Sequence, residues 1–415
     1  MKKLLHILFF FLLVTQISFA QWYPQNSGIT NYLWGVSFTD ANNGTAVGDF
    51  GTILRTTNGG INWTLQSSGT TGRLNDVSFT DANNGTVVGY DLNNQIGIIL
   101  RTTNNGTTWQ VQSGGADNNL IGVSFTDSNN GTVVGYDDLN NLGLILRTTN
   151  GGTTWTGQTS GTTNFLLDVS FTDANNGTAV GFGGTILRTI NGGIDWTLQS
   201  SGISEWYGVS FTDSNNGTAV GYSGTILRTT NGGTTWQVQS SGSTEWLYGV
   251  SFTDANNGTV VGLHGTILRT TNGGTIWTSQ SSGTTERLNG VSFTDSNNGT
   301  SVGLNGTILR TTNGGATFVE EEVLNEIPTE FLLSQNFPNP FNPSTKISYS
   351  VPQSSNVTIK VFDILGNEIE TLVNEEKPIG IYEITWYAAN LPSGIYFYKI
   401  QSGSFVQTKK MILLK

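Results

Sequence analysis

For most of its length the chain alternates short apolar runs with turns rich in Asn, Gly, Thr and Asp. The stretch from Gly35 shows the pattern, with strand-like runs at Gly35–Thr39, Thr45–Gly48, Thr52–Thr56 and Asn62–Gln66. The turns between them carry residues that tolerate positive φ, as tight hairpins require. No stretch has a 3.6-residue apolar period, so helices are not expected. In the third run Ile53 and Leu54 are consecutive and therefore point to opposite faces. A sheet apolar on both faces is one packed between two neighbours.

The pattern recurs. Val-Ser-Phe-Thr-Asp begins at Val36, Val77, Val123, Val169, Val209, Val250 and Val291, at spacings of 41, 46, 46, 40, 41 and 41 residues. The two long repeats carry inserts around Asp91–Gln95 and Asp137–Asn141. Four antiparallel strands in about 41 residues make one propeller blade, whereas a coil of a parallel β-helix is shorter. The expected fold is all-β: a seven-bladed β-propeller of four-stranded blades. Six repeats end in a strand like Trp63–Gly69, but after Phe318 the seventh runs into Val319-Glu320-Glu321-Glu322. The missing piece is Trp22-Tyr23-Pro24-Gln25-Asn26-Ser27-Gly28, so the N-terminal strand is expected to complete the last blade and hide two sheet edges.

Charge divides the chain of 415 residues. Residues 21–319 hold nine Arg and no Lys against fifteen Asp and three Glu, while the lysines lie at the N-terminus or beyond residue 340. This acidity argues against a nucleic-acid partner, which calls for clustered Lys and Arg. There is no cysteine, hence no disulfide or thiol chemistry. Lys2 and Lys3, the apolar run Leu4–Val14 and Ser18-Phe19-Ala20 read as a signal peptide over 1–20, cleaved before Gln21. The run is too short to span a bilayer, and no transmembrane segment is expected in the mature chain. The expected division is therefore signal peptide 1–20, propeller 21–319, acidic linker 320–328 and a C-terminal domain 329–415, the last with alternating strands such as Val357–Phe362 and Ile395–Ile400 and a hairpin turn at Gly366-Asn367.

Three resemblances follow from these residues. Thr56-Thr57-Asn58-Gly59-Gly60-Ile61-Asn62-Trp63 resembles the Asp-box, or BNR repeat, with Asn in the Asp position. The whole repeat over 22–319 resembles the seven-bladed propellers of the photosystem II stability/assembly factor family. Asn339-Pro340-Phe341-Asn342-Pro343-Ser344-Thr345, Phe362-Asp363-Ile364-Leu365-Gly366, Leu391-Pro392-Ser393-Gly394-Ile395-Tyr396 and the terminal Lys409-Lys410-Met411 resemble the type A sorting domain of the type IX (Por) secretion system. That resemblance implies an immunoglobulin-like β-sandwich over 329–415 and the type IX machinery as a partner. It also implies passage through the periplasm and across the outer membrane, to be released or held at the cell surface.

Repetition separates structural from functional residues. Seven Arg follow the third strand (Arg55, Arg101, Arg147, Arg188, Arg228, Arg269, Arg310) and seven Asp end the first (Asp40, Asp81, Asp127, Asp173, Asp213, Asp254, Asp295). A residue present in every blade does one structural job seven times: Arg pairing with Asp or stacking on Trp, Asp capping the turn before Asn-Asn-Gly. One carboxylate per turn is too few for a tight calcium site, and neither a metal nor a cofactor is expected. The turns between strands one and two and between three and four hardly vary. The other two sets vary and share one face, and variable loops on a rigid scaffold are where function resides. On that face lie Tyr32 and Trp34, Arg73, Glu205-Trp206-Tyr207, Glu245-Trp246 with Tyr248, and Glu286-Arg287. Acid, aromatic and Arg together suit a glycan or protein ligand, so the expectation is an exported binding scaffold rather than an enzyme. The alternative is an extracellular sialidase-like glycoside hydrolase using Glu205 and Glu245 as its carboxylate pair. Sialidases further use three Arg and a Tyr nucleophile, and only Arg73 and Arg287 depart from the repeat.

Overall fold

A computed structural model describes residues 22–113, 118–199, 205–316 and 328–414. These form two compact units, the repeats and the C-terminal segment. The N-terminal apolar run, Phe318 and the acidic residues 320–327 lie outside the described residues.

Each repeat folds as a four-stranded antiparallel sheet. In the first blade the order is Leu33–Phe38, Gly44–Gly48, Ile53–Thr56, Thr64–Gln66. The inner strands of successive blades contact one another around a closed ring, the last against the first. The second and third strands are buried along their whole length, as expected of sheets covered on both faces.

Every blade joint uses the same two fastenings, and a third recurs at several of them. The Ser of Val-Ser-Phe accepts the backbone N–H of the Phe in the next blade, from Phe79 on Ser37 (3.2 Å) round to Phe38 on Ser292 (3.0 Å). The repeated Arg reaches across the same joint. Arg147 donates to Thr132 Oγ1, Asn130 Oδ1 and the Ala174 carbonyl, and lies 5.0 Å over the ring of Phe171. The expected Arg–Asp or Arg–Trp pairing is thus replaced by a carbonyl and a Phe of the next blade. The third fastening is the box Trp, edge-on to the Phe of its own blade (Trp63–Phe38, 6.0 Å), with Nε1 donating to a Gln of the preceding blade in several joints. That Phe lies across the glycine opening the second strand: a Cβ at Gly44 would strike the Phe38 ring, and the same holds at every blade.

The turns follow their sequence. Asp127 Oδ1 accepts the N–H groups of Asn129 and Asn130 (2.7 and 2.9 Å), closing an Asx turn as expected. Asn58, in the Asp-box position, accepts from Thr56 Oγ1 and from the backbone of Asn62.

Tyr23–Gln25 pairs with Ile308–Thr311 and closes the seventh blade. Trp22 before it is fully buried, edge-on to Phe293 at 5.7 Å, and donates to Gln280 at 2.8 Å. Trp22 thus stands to Phe293 and Gln280 in the seventh blade as Trp63 stands to Phe38 and Gln25 in the first.

The C-terminal unit is a β-sandwich. One sheet holds Leu332–Leu333, Ser344–Val351 and Gly380–Tyr387; the other has the order Glu368–Lys377, Ser355–Phe362, Gly394–Ser402, Phe405–Leu413. Tyr349, Trp386, Tyr398, Phe341 and Met411 fill its core. Tyr398 Oη donates to the Ser334 carbonyl and accepts the Asn336 N–H, tying the Pro-rich entry to the sheet. Asp363 holds the hairpin turn by accepting from Leu365, Asn367 and the Asn367 amide. Among the described residues no helix is long and apolar enough to cross a membrane.

Candidate functional site at the channel mouth

Every inner strand carries a β-bulge two residues before its Val-Ser-Phe. A bulge adds one residue and re-aims its side chain. The residue before the bulge is core: Leu33, Leu74, Leu120, Leu166, Trp206, Leu247 and Leu288 are each fully buried. The bulged residue faces the channel, where Trp34, Asn75, Ile121, Leu167, Tyr207, Tyr248 and Asn289 line a cavity of about 360 Å³.

This register sorts the expected residues. Trp34, Arg73, Tyr207, Tyr248 and Arg287 line that cavity together. Trp34 Nε1 donates to Asp49 at 2.7 Å. Over its ring lie both irregular arginines, Arg73 at 3.8 Å and Arg287 at 4.9 Å, and Arg287 also stands 5.0 Å from the Tyr248 centroid. Burial lowers the Arg73 pKa, the Asp49 charge opposes this, and Arg287 adds to the lowering. Arg287 Nε is buried with no hydrogen-bond partner. Among the described residues neither arginine has a carboxylate within ion-pair distance: the propeller's ion pair is His264–Glu245, and three others lie in the C-terminal unit.

The rim is aromatic. Tyr207 stacks on Trp246 (6.1 Å, 20°) and meets Tyr248 at 5.2 Å. Its hydroxyl donates to Glu205 at 2.6 Å, and burial followed by that bond pushes its pKa up, so it stays neutral. Glu245 meets His264 Nδ1 at 2.9 Å. Tyr32 sits outermost, edge-on to Trp34 at 6.4 Å. Glu286 does not line the cavity; its backbone N–H is held by Thr284 Oγ1. Trp206 is a correction to the sequence reading: expected as a ligand contact on the variable face, it occupies the leucine position, packed with Val180, Ile186 and Phe211. The Glu-Trp-Tyr string at blade five is offset by one residue from Glu-Trp-Leu-Tyr at blade six, so only Trp246 reaches the rim.

Residues that the sequence reading did not single out extend the arc. Phe182 meets Tyr207 at 6.4 Å, Phe165 meets Phe182 at 5.8 Å, and Tyr136 stacks on Phe165 at 3.7 Å. Tyr222 joins Trp246 at 5.0 Å. Deeper in the cavity lie Asp76 and Asp168. The same position is glycine in the other five blades: Gly35, Gly122, Gly208, Gly249 and Gly290. Asp76 accepts the N–H of Val77 (2.8 Å) and, across the joint, that of Val123 (2.9 Å). Asp168 does the same with Val169 and Val209, both at 2.8 Å. Burial raises both pKa values, and the charge of Asp76 raises that of Asp168 further. Asp in a glycine column was the available signal.

Comparison with known proteins places both units. Residues 14–162, 203–277 and 239–333 match the model of the photosynthesis system II assembly factor YCF48, together over half of the chain. Residues 335–414 match the secretion system C-terminal sorting domain. That match implies handling by the type IX machinery and secretion to the cell surface or extracellular space. No curated protein matches the sequence. Among solved structures, YCF48 bound to a D1 peptide is similar at 20% identity and a TM-score of 0.58, over 72% of this chain and 99% of that one. YCF48 from Cyanidioschyzon merolae is similar at 20% identity and a TM-score of 0.57, over 70% and 98%. The GH74 enzyme of Niastella koreensis gives 14% identity and a TM-score of 0.57, over 93% and 73%. These likenesses show the fold, and the repeats, matched over more than half of the sequence, show the kinship: the chain belongs to the photosynthesis system II assembly factor YCF48 family.

Proposed function

We propose that this is an exported binding protein whose propeller, residues 21–319, holds an extended peptide segment of a partner across the channel mouth. Signal peptide 1–20 takes it to the periplasm, and the linker 320–328 leads to the sorting domain 329–415, which hands it to the type IX machinery. The observation that carries the reading is the pair Arg73 and Arg287, both stacked on Trp34, with Arg287 Nε buried and without a hydrogen-bond partner among the described residues. A peptide supplies carbonyls and carboxylates to such forks. Both guanidiniums lie against Trp34, which disfavours its use as a stacking platform for a sugar ring. The exposed aromatics Trp246, Tyr222 and Phe182 would take apolar side chains. The family also includes a YCF48 solved with a peptide bound. Glu205 and Glu245, the pair a glycosidase would need, are engaged by Tyr207 and His264.

Peptide and glycan arrays probed with the full chain test this. Retention of peptides, reduced about 30-fold by Arg287→Ala or Trp246→Ala, is expected of anchors contributing about 2 kcal/mol each. Retention of glycans alone, or release of sugar from them, would replace the proposal.

A further inference from the structure

We propose that Asp76 and Asp168 are a proton store in the channel wall that sets the charge of the peptide site, so that protonation of the pair favours acidic ligands. The inference rests on the peptide reading above and concerns its regulation.

The geometry singles these two groups out. They are the carboxylates of a column that is otherwise glycine, on blades two and four, with Gly122 between them. A Cβ at Gly122 would stand 3.0 Å from the Asp168 Cα and from the Leu167 carbonyl, so little space separates the intervening strand from the second carboxylate. Each side chain spans one joint and takes two backbone N–H groups. Those bonds favour the charged form, but neither group has a cation within ion-pair distance among the described residues. Two half-buried like charges lining one cavity disfavour each other's ionisation.

The result is a pair that titrates around neutrality, with pKa values raised to about 7 and about 8, by burial first. The two titrate as a unit. Other charged groups at the site keep their state in this window. Arg73 and Arg287 stay cationic, since guanidinium does not deprotonate in proteins, and Tyr207 stays neutral. His264 is held to Glu245 on the rim, outside the cavity lining. Among the residues lining the cavity, the charge with the pair protonated is that of the two arginines and with the pair ionised it cancels, while the carboxylates of Asp49 and Glu205 stand beside the lining. An acidic segment therefore binds more tightly as pH falls from 9 to 6, and by linkage its binding draws protons onto the pair.

The test uses the full chain with aspartate carboxyls labelled with carbon-13, a Glu-rich peptide and its Gln-for-Glu counterpart. Two carboxyl resonances titrating well above the ordinary range, and absent from D76N/D168N, are expected. The Glu-rich peptide should bind on the order of tenfold more tightly at pH 6 than at pH 9, the equivalent of one pKa unit of coupling. The Gln counterpart and D76N/D168N should show little dependence, whereas His264→Asn should keep it. If the asparagine variant does not fold, D76G/D168G substitutes the residue of the sister blades. Carboxyls that all titrate near 4 would overturn the proposal, as would a dependence that persists without the pair. If neither peptide binds at any pH, the peptide reading fails together with the ligand control built on it, while the carbon-13 titration still decides whether the pair stores protons.

Discussion

At the residue scale the propeller is held by identical contacts made seven times, so a side chain's cost depends on its column. Arg147 spends three hydrogen bonds and a ring contact on one joint. Arg147→Ala leaves Thr132 and the Ala174 carbonyl without their donor, and hydrogen bonds to charged groups contribute roughly 1.5–3 kcal/mol each. A fall of about 3 kcal/mol in urea-unfolding stability is expected, with a similar loss for the equivalent Arg228→Ala. Trp206 belongs to the same class. Trp206→Ala should cost about 3–5 kcal/mol as a core cavity, whereas Trp246→Ala should weaken ligand retention at nearly unchanged stability. Measuring both quantities for both variants distinguishes core from rim. Acid stability separates two kinds of Asp. In the Asx turns, as at Asp127, the Asn130 amide and the Asn129 N–H hold the carboxyl below the ordinary aspartate value of 3.8. Their contribution is present above that value and lost as pH falls through the lower, folded one. Asp76 and Asp168 are raised, so theirs is full below 3.8 and lost as pH rises through about 7 and 8. The thermal midpoint should therefore peak on the acid side of neutral, and D76N/D168N should flatten its alkaline limb.

At the element scale, strands and turns were legible because blade period, turn residues and doubly apolar strands agree. Ring closure was legible because one repeat lacked its last strand and the N-terminus offered a copy. What escaped was offset within a strand. Nothing in Leu-Trp-Gly-Val announces that the chain bulges at Trp34, so Trp206 and Trp246 looked equivalent although one is core and the other rim. Nor did Asp76 and Asp168 stand out among the propeller's fifteen aspartates until the bulge placed them in one column. Trp22 shows what closure is worth. Deleting 21–28 removes three ladder pairs, the buried indole and its bond to Gln280, and exposes the edge of Ile308–Thr311. A lower thermal midpoint and association through that edge are expected in size-exclusion chromatography. Trp22→Ala alone should cost about 3–5 kcal/mol. An unchanged midpoint in both would mean that the seventh blade closes without its N-terminal strand.

At the scale of the whole molecule, two units with separate cores divide the work. The propeller's closing strand is the N-terminal Tyr23–Gln25, and its described joints use residues 22–316. The sandwich has its own core and ends in the strand Phe405–Leu413, which pairs along its length with Gly394–Ser402 and buries Met411 and Leu413. A truncation that removes the last ten residues takes most of that strand, including Lys409-Lys410-Met411, and leaves Tyr396, Tyr398 and Ile400 without their edge partner. The sorting domain should then fail to present its folded surface, and the protein should accumulate in the periplasm instead of reaching the cell surface or medium. Because the ring closes on itself, the retained protein should keep the propeller's thermal midpoint and its peptide binding. Cell fractionation with calorimetry on the retained protein reads both outcomes. Normal delivery of the truncated chain would remove the sorting role from this strand, and loss of the propeller transition would show that the two units depend on each other for folding.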